Sequence, residues 1–310
     1  MEYPPIKKAA EAAFFEGISR QALKAPLSPS SAKIIIIFEL ATTMVRLFEE
    51  YLKKAELSAN TTQSYLWTVR YFLTNYGEIN KENLFAYKGF LMEHFKPQTV
   101  NLRLQGINKY LEFIKKDKLK LKFVKVQQKN FLENVISDAD YRFLKRKLKT
   151  DGLMEWYFVV WFMGATGARI SELLKIKAEH VEVGYLDLYS KGGKIRRLYI
   201  PKKLREEAAK WLAQESVTTG YIFKNRYGNV ISARGIAQQL KHFAKEYGID
   251  SKVVYPHSFR HRFAKNFLDK YNDIAFLADL MGHESIETTR IYLRRTATEQ
   301  QQIVDKIVTW

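Results

Sequence analysis

Apolar residues recur at three- and four-residue steps over most of the chain and at two-residue steps in one short stretch. From Thr43, "TMVRLFEEYLKKA" is amphipathic, and Tyr65, Leu66, Val69, Phe72, Leu73 and Tyr76 then repeat at helical spacing until Gly77. That pattern predicts a helix that stops at the glycine. Asn80 is suited to cap a third helix running to about Phe95. Pro97 opens a fourth, on which Val100, Leu104, Ile107, Leu111 and Ile114 form one stripe. Four short helices with brief connections predict a small all-α bundle over 41–116. Ahead of it, residues 1–40 hold Pro4, Pro5, Pro26, Pro29 and the Ser-rich "SPSSA", which predict an extended arm with at most one short helix.

The pattern changes after the bundle. Residues 117–130 lie in a stretch that carries Lys115, Lys116, Lys118, Lys120, Lys122, Lys125 and Lys129 against the single acid Asp117. Its Lys–Leu alternation gives no helical face, so an extended basic tether between domains is expected, with Lys118, Lys120, Lys122 and Lys125 laid against phosphates. A second domain is expected over 131–310. Ser137 is placed to cap "DADYRFLKRKL", whose early acids suit the helix dipole. "EWYFVVWFMGA" is apolar on every side and is expected to be buried. The runs "GYLDLYS" and "KIRRLYIP", joined through Lys191-Gly192-Gly193, read as a hairpin. Helices are expected again at 202–213, 232–247, 258–270 and 273–281. A tail helix would follow, with Ile303, Val304, Ile307 and Val308 at helical spacing. The fold class is mainly α with a small antiparallel β-sheet, in two domains.

Charge narrows the class of partner. Lys and Arg number 51 against 33 Asp and Glu, a formal net charge of +18, which favours a polyanion such as nucleic acid. There is no cysteine, which removes disulfides, thiolate nucleophiles and zinc–thiolate sites. The longest early apolar run, Ile34 to Phe38, is far short of the roughly 20 residues a membrane helix needs. A cytoplasmic protein with no membrane partner is expected.

With no cysteine, the available nucleophiles are Ser, Thr, Tyr, Lys and carboxylates. No phosphate-binding glycine loop and no carboxylate cluster with metal-site spacing stands out. Cationic and imidazole side chains do stand out where the pattern changes type. In "GATGARISELL", Arg169 follows a Gly-containing turn at the start of a helix, where its guanidinium could fork onto phosphate oxygens. In "YPHSFRHRFAKNFL", His257 and Arg260 share one helix face near its N-terminus, with His261 and Arg262 expected on other faces. In "LADLMGHESIETTRIYLRR", Gly282 ends a helix, His283 follows, and Tyr292 sits among Arg290, Arg294 and Arg295.

Together "ATGARISELL", "PHSFRHRFA" and "LMGHESIETTRIY" resemble, in order and approximate spacing, the catalytic boxes of the tyrosine recombinases, the integrase and Xer-like family. The similarity is strong over about 135–300. The helical domain before it resembles the family's core-binding domain only by pattern. The resemblance implies that Arg169 and Arg260 clamp the scissile phosphate. His257 would be a general base or orienting group, with His283 as a further hydrogen-bond donor, Tyr292 as the nucleophile and Glu172 as a supporting carboxylate. Lys191 best matches the hairpin lysine that protonates the leaving oxygen, with Lys194 as the alternative. It also implies a 3′-phosphotyrosyl intermediate, a Holliday junction, and neither metal nor other cofactor. Expected partners are double-stranded DNA and further copies of the chain, a dimer per site and a tetramer in the synapse, gripped by both domains. Arg234, Gln238, Lys241 and Lys245 on the helix at 232–247 are expected DNA contacts. A type IB topoisomerase, which shares this chemistry, and a DNA-binding regulator that never cuts are the competing readings. The short first 40 residues lean towards an Xer-like or small-element recombinase.

Overall fold

The computed structural model describes residues 29–126, 134–189, 195–283, 285–293, 301 and 304–308, with side chains from residue 42. It divides into two compact units, 1–128 and 129–310.

The first unit is a four-helix bundle: α1 (Pro29–Lys54), α2 (Ala59–Tyr76), α3 (Lys81–His94) and α4 (Pro97–Phe113). The start of α1 corrects the expectation of an extended arm up to residue 40. Pro29 is its first residue, where the fixed φ and missing N–H of proline cost the helix nothing. The caps follow the sequence. Ser58 and Asn80 accept from the N–H groups of Thr61 and Asn83, and Gly77, at φ 69°, ends α2 with its N–H on the Leu73 carbonyl. Val45, Phe48 and Leu52 meet Leu66, Val69 and Phe72 of α2 and the Val100–Leu104–Ile107–Leu111 stripe of α4 in one core. Each fully buried side chain of this kind contributes about 1.5–3 kcal/mol. Arg103 is buried within α4, bonded to the Ser64 carbonyl and Thr68 Oγ1 and stacked on Trp67 at 3.8 Å.

The basic stretch after α4 is extended as expected from residue 120, but it is bound to its own bundle rather than loose. A 3-10 turn (Asp117–Leu119) leads into it. Asn108 and Asn101, seven residues apart on α4, then act as surrogate backbone. The Asn108 amide exchanges two bonds with the N–H and carbonyl of Leu121 (2.8 and 2.9 Å), and Asn101 does the same with Val124 (both 2.9 Å). Leu121 is buried. Lys118, Lys122 and Lys125 are exposed, but Lys120 pairs with Asp117 at 2.6 Å and Glu112 at 3.4 Å.

The second unit is helical around a two-stranded sheet. α5 (Asp138–Thr150) is capped by Ser137, which accepts from the Asp140 N–H. α6 (Met154–Thr166) is apolar on all sides and is buried, flanked by α5, α9 and α11. Short α7 (Ile170–Leu173) and α8 (Ala178–Val183) lead to β1 (Tyr185–Tyr189) and β2 (Ile195–Tyr199), followed by α9 (Lys202–Gln214) and α10 (Ala233–Glu246). α11 (Pro256–Lys270), α12 (Ile274–Met281), α13 (Ile286–Arg290) and a 3-10 turn (Ile291–Leu293) follow. The strands pair antiparallel with Leu186↔Leu198 and Leu188↔Arg196 in register. Alternation therefore points Leu186, Leu188, Leu198 and also Arg196 to the inner face, while Asp187 and Arg197 form a bidentate pair on the outer one. Lys191 and Lys194 lie outside the described residues. On α10, Ile236, Leu240 and Phe243 are buried, and Arg234, Gln238, Lys241 and Lys245 occupy the exposed face. No helix of the described residues is long and apolar enough to cross a membrane.

Candidate active site

Two helix ends create the site. α6 ends at Gly167 (φ 63°) and α12 at Gly282 (φ 61°), both in the left-handed conformation that glycine adopts without strain. A Cβ on Gly167 would overlap Phe263, and one on Gly282 would overlap Arg196. The last carbonyls of a helix have no partner within it and carry the negative end of its dipole. Arginines take up those carbonyls here. Arg260, 2% exposed, donates to Gly167 O at 2.5 Å and Met281 O at 2.6 Å. Arg169 donates to Gly282 O at 3.1 Å, and Arg196 Nε to Leu280 O at 2.7 Å.

Glu172 binds the arginines to one another. It accepts from the backbone N–H of Arg169 (2.7 Å), from Arg169 Nη1 (2.8 Å) and from Arg196 Nη1 (2.7 Å). Burial opposes its charge, yet Arg196 and the amide and guanidinium of Arg169 hold its carboxyl below the usual value. Burial and the Arg169 charge draw Arg260 down to about 10, which leaves it a cation at neutral pH.

His283 joins the clamp to the tyrosine. Its Nε2 lies 3.0 Å from Arg260 Nη2 and its Nδ1 2.7 Å from the buried Thr289 Oγ1. Arginine can only donate, so Nε2 accepts and the proton of the neutral ring sits on Nδ1, donated to Thr289. Burial and then the charges of Arg260, Arg169 and Arg196 lower the ring to about 4. The His283 ring stacks on that of Tyr292, with centroids 6.2 Å apart and planes at 11°.

Tyr292 is 6% exposed and packs as a core residue with Ala264, Leu268, Leu277 and Met281. Its hydroxyl lies 3.2 Å from His261 Nδ1. Burial raises the phenol pKa, against a counter-pull from Arg260 and Arg169. His261 thus corrects the expectation that it faces away. One step round α11 from Arg260, it reaches the 3-10 turn that carries the tyrosine. Arg262 does turn away, stacking on Tyr141 at 3.9 Å. Burial, then His257 and Arg260, lower His261 to about 4. His257 is exposed, its ring 6.2 Å from that of His261. Partial burial of the ring and the charges of Arg260 and Arg169 lower its pKa.

The structure therefore brings Arg169, Glu172, Arg260, His283 and Tyr292 together, with His257 at the rim. Sequence reasoning missed His261, Thr289 and Arg196. For Arg196 a signal existed: in "IRRLY" the two-residue alternation that buries Leu198 also turns Arg196 inward. A groove of about 540 Å³ opens beside the clamp, lined in part by Arg169, Ser171, Lys175, Arg196, Gly282 and His283. Among the described residues no group of three or more His, Asp or Glu side chains is arranged to hold a metal ion.

Comparison with known proteins agrees with this geometry. The sequence model of the phage integrase family matches residues 137–299. Tyrosine recombinase XerA of Pyrococcus furiosus is 27% identical over 276 residues, covering 86% of this chain and 94% of the relative. Tyrosine recombinase XerD of Listeria monocytogenes is 26% identical over 273 residues, covering 77% of this chain and 89% of the relative. Among solved structures, the Tn1549 transposon integrase with transposon right-end DNA superposes with a TM-score of 0.65 at 14% identity, over 86% of this chain and 99% of that one. The XerH recombinase bound to its difH substrate gives 0.64 at 17%, over 84% and 83%. The chain belongs to the phage integrase family, the tyrosine recombinases that cleave and rejoin DNA.

Proposed function

We propose that Tyr292 is the nucleophile of site-specific DNA recombination and that Arg169 and Arg260 hold the scissile phosphate for it, with His283 orienting Arg260 through its Nε2. The observation that carries this is the convergence of two helix-anchored guanidiniums and one imidazole on the surroundings of a single tyrosine. The Tyr292 oxygen attacks phosphorus, forming the 3′-phosphotyrosyl bond as the P–O5′ bond breaks. The nonbridging oxygens gain charge in the transition state, and fixed donors aimed at that charge supply much of the rate. The phenol proton passes to a histidine, and the 3.2 Å contact supports His261 as its first acceptor. His257, at the rim, orients the phosphate. Lys191, or Lys194, protonates the departing 5′ oxygen. The phosphotyrosyl bond keeps the phosphoester energy, so attack by a different 5′-hydroxyl runs without ATP or metal and leads through a Holliday junction to exchanged strands.

Double-stranded DNA is the partner. Arg234, Gln238, Lys241 and Lys245 of α10 and Lys118, Lys122 and Lys125 are its contacts in this reading, and Lys120 joins them only by giving up its carboxylate partners. The protein acts in the cytoplasm as a dimer per site and a tetramer in the synapse. Exposed Val304, Ile307 and Val308 near the C-terminus support docking onto a neighbouring copy; Ile303 lies outside the described residues. XerH is bound to its difH substrate, and a pair of duplex sites is the substrate proposed here.

The test is a nicked duplex that traps the covalent intermediate. Wild-type protein forms an adduct that survives denaturation, and Tyr292→Phe forms none while still shifting the duplex. An adduct on Tyr292→Phe removes Tyr292 from the role. Exchange between two sites, against relaxation of a supercoil alone, separates recombinase from topoisomerase.

A further inference from the structure

Arg196 is a half-buried charge on the inner face of the hairpin, where its neighbours Leu186, Leu188 and Leu198 are apolar. It joins three elements. It belongs to β2, its Nη1 donates to Glu172 Oε1 in α7, and its Nε donates to the Leu280 carbonyl in the last turn of α12, each at 2.7 Å. Glu172 Oε1 also receives Arg169 Nη1 at 2.8 Å, so Arg196 stands one carboxylate away from the phosphate clamp. The Arg196 side chain packs beneath Gly282. The Gly282 carbonyl holds Arg169, and His283 follows it directly.

We propose that Arg196 is a positioning residue that fixes the orientation of Arg169 towards the scissile phosphate and the place of His283 beside Arg260. It also couples that orientation to the hairpin whose loop carries Lys191. The physical basis is threefold. Among the described residues the other bonds to Glu172 all come from Arg169 itself, and Arg196 is what ties that pair to β2 and to the end of α12. The single negative charge of Glu172 between two cations offsets their repulsion and lets both stand in one site. The planar fork spans the carboxylate and the Leu280 carbonyl at once, which the point charge of a lysine does less well. Because the fork is carried by β2, a displacement of the hairpin displaces Glu172, and Arg169 with it.

This rests on the reading of Tyr292 as nucleophile, so wild type and Tyr292→Phe are run alongside. Single-turnover cleavage of a nicked duplex at saturating protein, duplex affinity and thermal melting are measured for Arg196→Lys and Arg196→Gln. Both are expected to bind the duplex within about threefold of wild type yet to form the adduct about 100-fold more slowly, the usual cost of small misplacement at a reacting centre. On a duplex whose scissile phosphate bears a methyl in place of one nonbridging oxygen, the deficit is expected to shrink about tenfold, because less charge develops for Arg169 to meet. Wild-type rates in either folded variant overturn the proposal, as does an equal deficit on both duplexes. If one variant does not melt cooperatively the other decides, and if neither does, Arg196 is structural and the proposal falls. A wild-type protein that forms no adduct overturns the reading of Tyr292 itself, a result distinct from all of these.

Discussion

His261 and His283 sit neutral in a site full of fixed positive charge, and that makes acid their shared weakness. Both are lowered from about 6.5 to about 4: burial is the main cause, with His257 and Arg260 adding to it at His261, and Arg260, Arg169 and Arg196 at His283. A group whose folded pKa is depressed in this way takes its proton first in the unfolded chain. Stability from both rings is therefore complete above about pH 6.5 and is lost as pH falls towards 4. Melting temperature is expected to drop through this window more steeply in wild type than in His261→Phe. Equal slopes in the two proteins would show that His261 does not contribute. These two rings also mark how far residues can be read from sequence. Arg169, His257, Arg260, His283 and Tyr292 were legible because they stand at fixed places in three motifs. His261 was not, because helical phase counted from Arg260 says which way a ring starts out and not which neighbouring turn comes to meet it.

Element boundaries were legible wherever a cap or breaker is local: Asn80, Gly77, Pro97, Ser137 and Gly282 each announce an end. The start of α1 was not, because Pro29 reads equally as arm or as first helical residue. The inward turn of Arg196 could be read from its alternation with Leu198, but its partners Glu172 and Leu280 could not, because they come from two other elements. The strap on α4 was also hidden, since an asparagine that stands in for a β-partner looks like any polar helix residue. Its four hydrogen bonds make a prediction at this scale. Asn101→Ala with Asn108→Ala is expected to cost about 1 kcal/mol at each site and to raise hydrogen exchange at Leu121 and Val124 while leaving the helix amides protected. Unchanged exchange at those two amides would remove the strap from the account.

At the level of the molecule, two units divide the work that the charge of +18 announces. The second holds the candidate site and, in α10, an exposed basic face. The first has a strap on which Lys118, Lys120, Lys122 and Lys125 are all exposed, Lys120 being paired with Asp117 and Glu112. Assembly is expected to depend on the apolar residues left open near the C-terminus. Removing residues 301–310 should leave adduct formation on a single nicked site within about threefold and should reduce recovery of two-site complexes in native gels. Full recovery of those complexes would place the oligomer contacts elsewhere. The fold class was readable at this scale because helical and two-residue periodicities occupy separate stretches; how copies meet leaves no comparable period in one sequence.

The arginine anchors have a consequence for how this site can drift. Gly167, Leu280, Met281 and Gly282 hold guanidiniums through their carbonyl oxygens, atoms that every amino acid brings. Substitution cannot delete them, so the side chains at 280, on the groove, and 281, in the core, are free to vary with their surroundings. Inheritance of the clamp is then concentrated in few letters: the arginines, Glu172, and the two glycines whose missing side chains keep the helix ends open.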